Sequence, residues 1–310
     1  MTAYDWQEID RFREAGWTWG QIVAHGIGIS EDVSTATLRK AHSRRTDKFT
    51  PPRNPGMKIL GIDIETAPNV AHVWGLFKQN IGTNQILQTG RVMCWAARWF
   101  SDGEDATTVF MSEYQHGHEA MVRGAWRLLD EADAVVHYNG TRFDVPTLNR
   151  EFLKLGLAPP SPYAEVDLLR TARKRFRFAS NRLDHLLKEL KIGEKVRHDG
   201  HSLWVGCMNG DHDSWVRMEE YNRGDVDQMD TLYRVLLPWI SNHPNHALYQ
   251  DTDRPVCTNC GGTSLHSRGT QRTKTQMYRR FQCQDCGTWV RERFTSVDKD
   301  KRRHILTQAV

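Results

Sequence analysis

The chain has 310 residues, of which 39% are hydrophobic and 26% charged, and a net charge of +4. That length allows two or three small domains, one of them with a sizeable core. No apolar run approaches the roughly 18 residues of a membrane span, and the opening Met1-Thr2-Ala3-Tyr4-Asp5-Trp6 lacks the basic and apolar regions of a signal peptide, so no membrane partner and a cytoplasmic location are expected.

Charge is unevenly spread. Residues 1–58 carry +2, residues 59–250 carry −4 and residues 251–310 carry +6. Basic flanks can hold a polyanion while an acidic centre binds cations. A solvated basic tail would account for the C-terminal excess equally well. The eleven tryptophans suit stacking on bases, although most are expected in the core.

From the N-terminus, residues 1–48 read as helical. Trp6, Ile9 and Phe12 share a helical face that Gly16 ends, a short helix covers Trp19 to Ala24, and a basic one runs from Ser34 to Arg45. The arrangement resembles a helix-turn-helix whose third helix would be offered to DNA. A small docking bundle, able to recruit a partner replication protein, is the other reading. Thr50-Pro51-Pro52-Arg53-Asn54-Pro55-Gly56 then reads as a linker over 49–57, because closely spaced prolines cannot carry a regular element.

Residues 58–242 alternate strands and helices. Strands are expected over Lys58–Thr66, Arg91–Phe100, Ala106–Met111, Ala134–Asn139 and Glu165–Leu169. Helices are expected over His118–Ala132, Phe143–Leu157, Asn181–Leu190 and Ser214–Ile240. This order predicts an α/β domain with a mixed sheet flanked by helices. In Ile62-Asp63-Ile64-Glu65, strand alternation turns both acids to one face, about 7 Å apart. Two carboxylates in an otherwise apolar strand are costly unless a cation compensates them. A strand end open to solvent is the bland alternative. Asp144 follows the apolar run Ala134-Val135-Val136 and the turn Asn139-Gly140-Thr141-Arg142-Phe143. Taken alone it would be a helix cap. Tyr221 and Asp225 are four apart on a predicted helix and share a face. Asp227 and Asp230 should point elsewhere, as surface acids, and structural use is expected for Asp167.

Together these pieces resemble the DnaQ-like (DEDD) exonuclease superfamily, whose domain has a ribonuclease H-like fold. Its Asp-x-Glu motif is matched by Asp63 and Glu65, its Asn-x3-Phe-Asp motif by Asn139, Phe143 and Asp144, and the tyrosine branch's Tyr-x3-Asp by Tyr221 and Asp225. Val166-Asp167-Leu168-Leu169, Ser180-Asn181-Arg182-Leu183-Asp184 and Leu203-Trp204 further resemble a subgroup common in bacteriophage genomes, for which the location would be the host cytoplasm. The resemblance implies a 3′–5′ exonuclease acting on single-stranded 3′ ends, on DNA in preference to RNA, and releasing nucleoside 5′-monophosphates. It implies two Mg²⁺ or Mn²⁺ ions, about 3.5–4 Å apart, among Asp63, Glu65, Asp144 and Asp225. Asp63 would bridge the ions, Glu65 and Asp225 would complete the one that binds the attacking water, Asp144 would support the other, and Tyr221 would align the water. Asn139 would contact the terminal nucleotide, with Leu60, Thr66 and Phe143 lining its pocket. An RNA exonuclease, an endonuclease on the same fold and a nucleic-acid-binding regulator with an inactive core stay open as rivals. The presence of all four acids and Tyr221 argues against the last.

Beyond a linker over 243–254, Cys257-x2-Cys260 and Cys283-x2-Cys286 are separated by 22 residues. Two such knuckles supply four thiolates for one structural Zn²⁺. With Tyr278, Arg280, Phe281, Trp289, Arg291 and Arg293 nearby, residues 255–295 resemble a zinc ribbon with a basic two-stranded arm, suited to nucleic acid more than to protein. Residues 296–310 read as a basic tail. His198, His201, His243 and His246 read as ordinary loop residues, not metal ligands.

Overall fold

The computed structural model describes residues 4–15, 17–29, 33–46, 56–195 and 200–309. Gly16, His198 and nearly all of the expected linker over 49–57 lie outside these residues. The chain divides into two compact units, Met1–Arg53 and Asn54–Val310.

The first unit holds α1 (Trp6–Glu14), α2 (Trp19–Ala24) and α3 (Thr35–Thr46). Asp5 caps α1 by accepting from the N–H groups of Gln7 and Glu8. Thr18 and Gln21 close a capping box on α2. Ile9, Ile22 and Leu38, one from each helix, are fully buried, and Trp6, Trp17 and Trp19 pack around them. Arg39 and Lys40 stay exposed on α3.

The second unit opens with β1 (Ile59–Thr66), followed by β2 (Val70–Ala71), β3 (Ile86–Gln88), β4 (Val92–Trp99) and β5 (Val109–Ser112). Next come α4 (Glu113–His116), α5 (His118–Glu131), β6 (Ala134–His137), α6 (Asp144–Lys154), β7 (Ala164–Asp167), α7 (Leu168–Arg175), α8 (Leu183–Leu190), α9 (His201–Met208) and α10 (His212–Leu236). Five strands form one sheet in the order β5-β4-β1-β6-β7. The β1–β4 and β4–β5 pairs are antiparallel, and β1–β6 and β6–β7 are parallel. This is the mixed, helix-flanked, RNase H-like sheet expected.

The two faces of β1 have different partners. Leu60, Ile62 and Ile64 pack with α5 and α6 through Met121, Val122, Leu148 and Phe152. The opposite face, bearing Gly61, Asp63 and Glu65, is covered by α10. Gly61 is required there, because a Cβ would lie 2.1 Å from the Phe100 ring.

The β2–β3 hairpin, α4, α7 and α9 were not expected from the sequence. Asp167 starts α7 by accepting from the N–H of Arg170 at 3.2 Å, so a helix begins inside the stretch expected to be strand. Asp230 is not a surface acid. It is buried, with Arg234 at 3.1 Å and Arg98 at 3.5 Å, because α10 is covered along more than one face. Asp227 does remain accessible, bonded to Thr108 and Arg98.

The C-terminal segment forms a three-stranded antiparallel sheet, β8 (Leu265–Arg272), β9 (Met277–Cys283) and β10 (Trp289–Arg291), where two strands were expected. Residues 243–254 do not hold this ribbon at a distance. Buried Asn259 donates to the carbonyls of Leu237 and Ile240 at 2.9 and 3.0 Å. His246 N–H bonds the Thr258 carbonyl, and His243 contacts the Tyr233 hydroxyl at 2.7 Å. These bonds fix the ribbon to the turn that follows α10. Within the tail, Asp298 caps a short helix, α11 (Lys299–Arg303).

Candidate metal-binding active site

The site forms where β1, the β6–α6 turn and α10 converge. Period-two alternation on β1 turns Asp63 and Glu65 to α10, and α10 brings Tyr221, Asn222 and Asp225 onto the facing stripe. Carboxylate oxygens of Asp63, Glu65 and Asp225 all lie within 4.8 Å of one another. Asp144 stands behind Asp63, accepting from the Ile64 N–H at 3.2 Å. The three sequence motifs therefore meet in space, with Asp144 outside the tight trio.

The carboxylates of the cluster repel one another, and the charge of Lys195 offsets this only in part. Burial, then the charges of Asp144, Glu65 and Asp225, push Asp63 well above the usual carboxylate range. Burial and Asp225 push Glu65 up to about 8. Burial pushes Asp144 up to about 6, opposed by nearby His137 and by the Ile64 N–H. Burial and Asp225 also push the Tyr221 hydroxyl far up, so it stays protonated. Only oxygen ligands converge here, which suits a hard divalent ion.

Several site residues had no signal in the sequence motifs. Lys195 places Nζ 2.5 Å from Asp225 Oδ2 and 3.3 Å from the Tyr221 hydroxyl. Asn222 Nδ2 donates to Asp63 Oδ2 at 2.8 Å, which orients that carboxylate. The Trp204 side chain bonds Glu65, and its ring meets that of Tyr221 edge-on. The Leu203-Trp204 resemblance pointed to this region without assigning a contact. Buried His137 accepts from the Gly140 N–H at 3.1 Å and lies 3.4 Å from Glu165, which shapes the turn before Asp144.

An open cleft of about 780 Å³ adjoins the carboxylates. Asn139 and Leu169 line it, and Arg182, Lys188 and Lys195 supply positive charge. Asn139 has left-handed backbone geometry (φ 71°), held by its N–H to Asp167 Oδ1 at 3.2 Å. Phe143 is exposed beside Asp144. Thr66 is half-buried at the end of β1, past an irregularity in the pairing. Leu60 is fully buried on the opposite face of β1 and cannot line a nucleotide pocket, because strand alternation turns it to α5 and α6.

The second cluster is Cys257, Cys260, Cys283 and Cys286, whose sulfurs all lie within 4.8 Å of one another. The 257–286 and 260–283 pairs are each 3.6 Å apart. That is close to the edge of a tetrahedron built on Zn–S bonds of about 2.3 Å, and all four thiols are free. Both knuckles turn alike: Gly261 and Gly287 donate to the carbonyls of Cys257 and Cys283, each glycine in the left-handed region. His243 and His246 stack beside the ribbon without joining the sulfur cluster.

The sequence matches the RNase H superfamily over residues 83–237. This span holds Asp144, Tyr221 and Asp225 and leaves out β1. No match was found among curated proteins. Among solved structures, the chain is similar to the family B DNA polymerase from the hyperthermophilic archaeon Pyrobaculum calidifontis. Identity is 19% and the TM-score 0.45, over 59% of this chain and 25% of that one. The chain thus spans about a quarter of the polymerase's length.

Proposed function

Because this chain belongs to the RNase H superfamily, we infer that it is a metal-dependent nuclease, and specifically a 3′–5′ exonuclease acting on single-stranded 3′ ends of DNA. The observation that carries this reading is the convergence of Asp63, Glu65 and Asp225 within 4.8 Å, with Asp144 beside them. Carboxylates held this close, with Asp63, Glu65 and Asp144 above their usual range, fit a pair of Mg²⁺ or Mn²⁺ ions. When bound, such ions supply the positive charge that stabilises the attacking and leaving oxygens of a phosphodiester displacement.

The chain's own groups have separate tasks. Asn222 holds Asp63 in position, and Trp204 does the same for Glu65. The protonated Tyr221 hydroxyl stands beside Asp225 and can hold the attacking water by a hydrogen bond. Arg182 and Lys188 line the cleft where a phosphate backbone would approach. Asn139, which lines this cleft, would contact the terminal nucleotide, with Phe143 and Thr66 lining its pocket. Hydrolysis there releases a nucleoside 5′-monophosphate. The preference for DNA, the polarity and the phage-type affiliation rest on the motif resemblance. The four thiols fit one structural Zn²⁺, with no ligand position left for chemistry. The basic ribbon and the N-terminal helices would extend contact to nucleic acid or to a replication partner. Among the described residues no helix is long and apolar enough to cross a membrane.

End-labelled single-stranded and duplex DNA and RNA, incubated with Mg²⁺ or Mn²⁺, test the proposal. The expected result is a ladder of shortened products from free 3′ ends, blocked by a 3′ modification and absent in Asp63→Ala and Asp225→Ala. Internal cuts would mean an endonuclease, preference for RNA would change the substrate, and binding without cleavage would mean an inactive core.

A further inference from the structure

The catalytic strand feeds directly into a lobe that the cleavage chemistry does not use. Two residues after Glu65, the Ala67 N–H bonds the Arg91 carbonyl, and Gly90 N–H bonds Asn69 Oδ1 at 2.6 Å, closing the base of a loop over 67–91. Inside it the β2–β3 hairpin pairs Val70 with Gln88 and Ala71 with Ile86. Gln85 ties both walls together, with its side chain bonded to the Gly82 N–H and the His72 carbonyl. The base is therefore built and the tip presented.

The tip is unlike ordinary surface. Trp74 is 98% exposed, and Leu76 and Phe77 are each 86% exposed. A single exposed apolar residue needs no explanation, but two nearly bare aromatic rings within four positions do. Neither ring belongs to a hydrophobic cluster or a ring pair among the described residues. From residue 66 to residue 101 there is no Asp or Glu, in a chain where about one residue in eight is acidic. Lys78, Gln79, Asn80, Asn84 and Gln88 instead give this segment a cation and amides.

We propose that the lobe over 67–91 is a stacking platform for the unpaired bases of a single strand entering the active site, with Trp74 and Phe77 as the stacking surfaces. The proposal rests on the nuclease reading and adds how the strand is held. Flat rings accept any base face, which suits an enzyme that must process every sequence. A lobe with no acid of its own avoids repelling the phosphates, and its amides can bond base edges. The link from Glu65 to the lobe's base is two residues long, which couples strand position to the metal ligands.

Affinity for fluorescein-labelled oligothymidylate, measured by anisotropy with Ca²⁺ to suppress cleavage, tests this. Trp74→Ala and Phe77→Ala should each raise Kd by about tenfold, the loss expected from one stacked base. Trp74→Phe should stay within about twofold of the original chain, and Trp74→Leu should lose affinity like the alanine variant. Binding of a blunt duplex, whose bases are already stacked, should change little. Unchanged oligothymidylate affinity, or a Leu variant equal to the original, would overturn the proposal. So would an equal loss on blunt duplex, which would mean phosphate contact. A dimer that Trp74→Ala splits, with DNA affinity intact, would assign the rings to a second copy of the chain. Hydrolysis of thymidine 5′-monophosphate p-nitrophenyl ester by the unaltered chain engages only the catalytic site. Its absence would count against the nuclease reading and leave the platform to be judged by the binding data.

Discussion

Replacing Glu65 with Gln should stabilise the cation-free protein, and increasingly so as pH rises. Glu65 is pushed from 4.5 up to about 8, so between these values the folded chain holds a proton that the unfolded chain releases. Stability is then present in full below about pH 4.5 and is lost as pH climbs toward 8, at up to about 1.4 kcal/mol per pH unit. The whole window would amount to about 5 kcal/mol. Glu65 keeps some solvent access and shares its charge with Asp63 and Asp225, so about 2 kcal/mol at pH 8 is the expected gain of Glu65→Gln. For a unit of this size that raises Tm by about 4–8 °C. Melting curves in EDTA at pH 5, 6, 7 and 8 would show the difference growing from near zero. Adding Mn²⁺ should reverse the order, because the original chain gains binding energy that the variant has lost. A variant less stable than the original in EDTA at pH 8, or a gain that does not vary with pH, would refute the claim that these acids are strained toward a cation.

Tyr221→Phe should slow cleavage by about 10²-fold with Mn²⁺ affinity nearly unchanged; if affinity falls as far as the rate, the tyrosine is scaffold. Lys195→Met removes the ammonium that compensates Asp225. Isothermal titration should show Mn²⁺ binding several-fold tighter, since lysine and metal compete for one carboxylate, and weaker binding would contradict that competition. Elemental analysis should find one Zn²⁺ per chain after dialysis. Cys283→Ser should lose it, and should also lower the Tm of the α/β core, because Asn259 docks the ribbon on Leu237 and Ile240. A core Tm that does not move would mean the docking contributes nothing.

The clustered carboxylates and the cysteines are legible in the chain because their patterns are local. Asp63 and Glu65 share a face by strand periodicity, Tyr221 and Asp225 share one by helical periodicity, and two Cys-x2-Cys knuckles followed by glycine need no distant partner to be seen. Lys195 carried no such pattern. It lies outside any regular element, and only tertiary packing against α10 brings its ammonium to Asp225. The misplacement of Leu60 has the same origin, since a strand's alternation says which residues share a face and not which face will be covered by α5 and α6. Asp230 was expected in solvent because helical spacing turns it away from Asp225, yet Arg98 and Arg234 enclose it. The ribbon's attachment depended on Asn259 meeting carbonyls some twenty residues earlier in the chain. Local periodicity orients side chains about their own element, whereas packing between distant elements decides which orientations become buried, paired or exposed, and that information is in the tertiary structure alone.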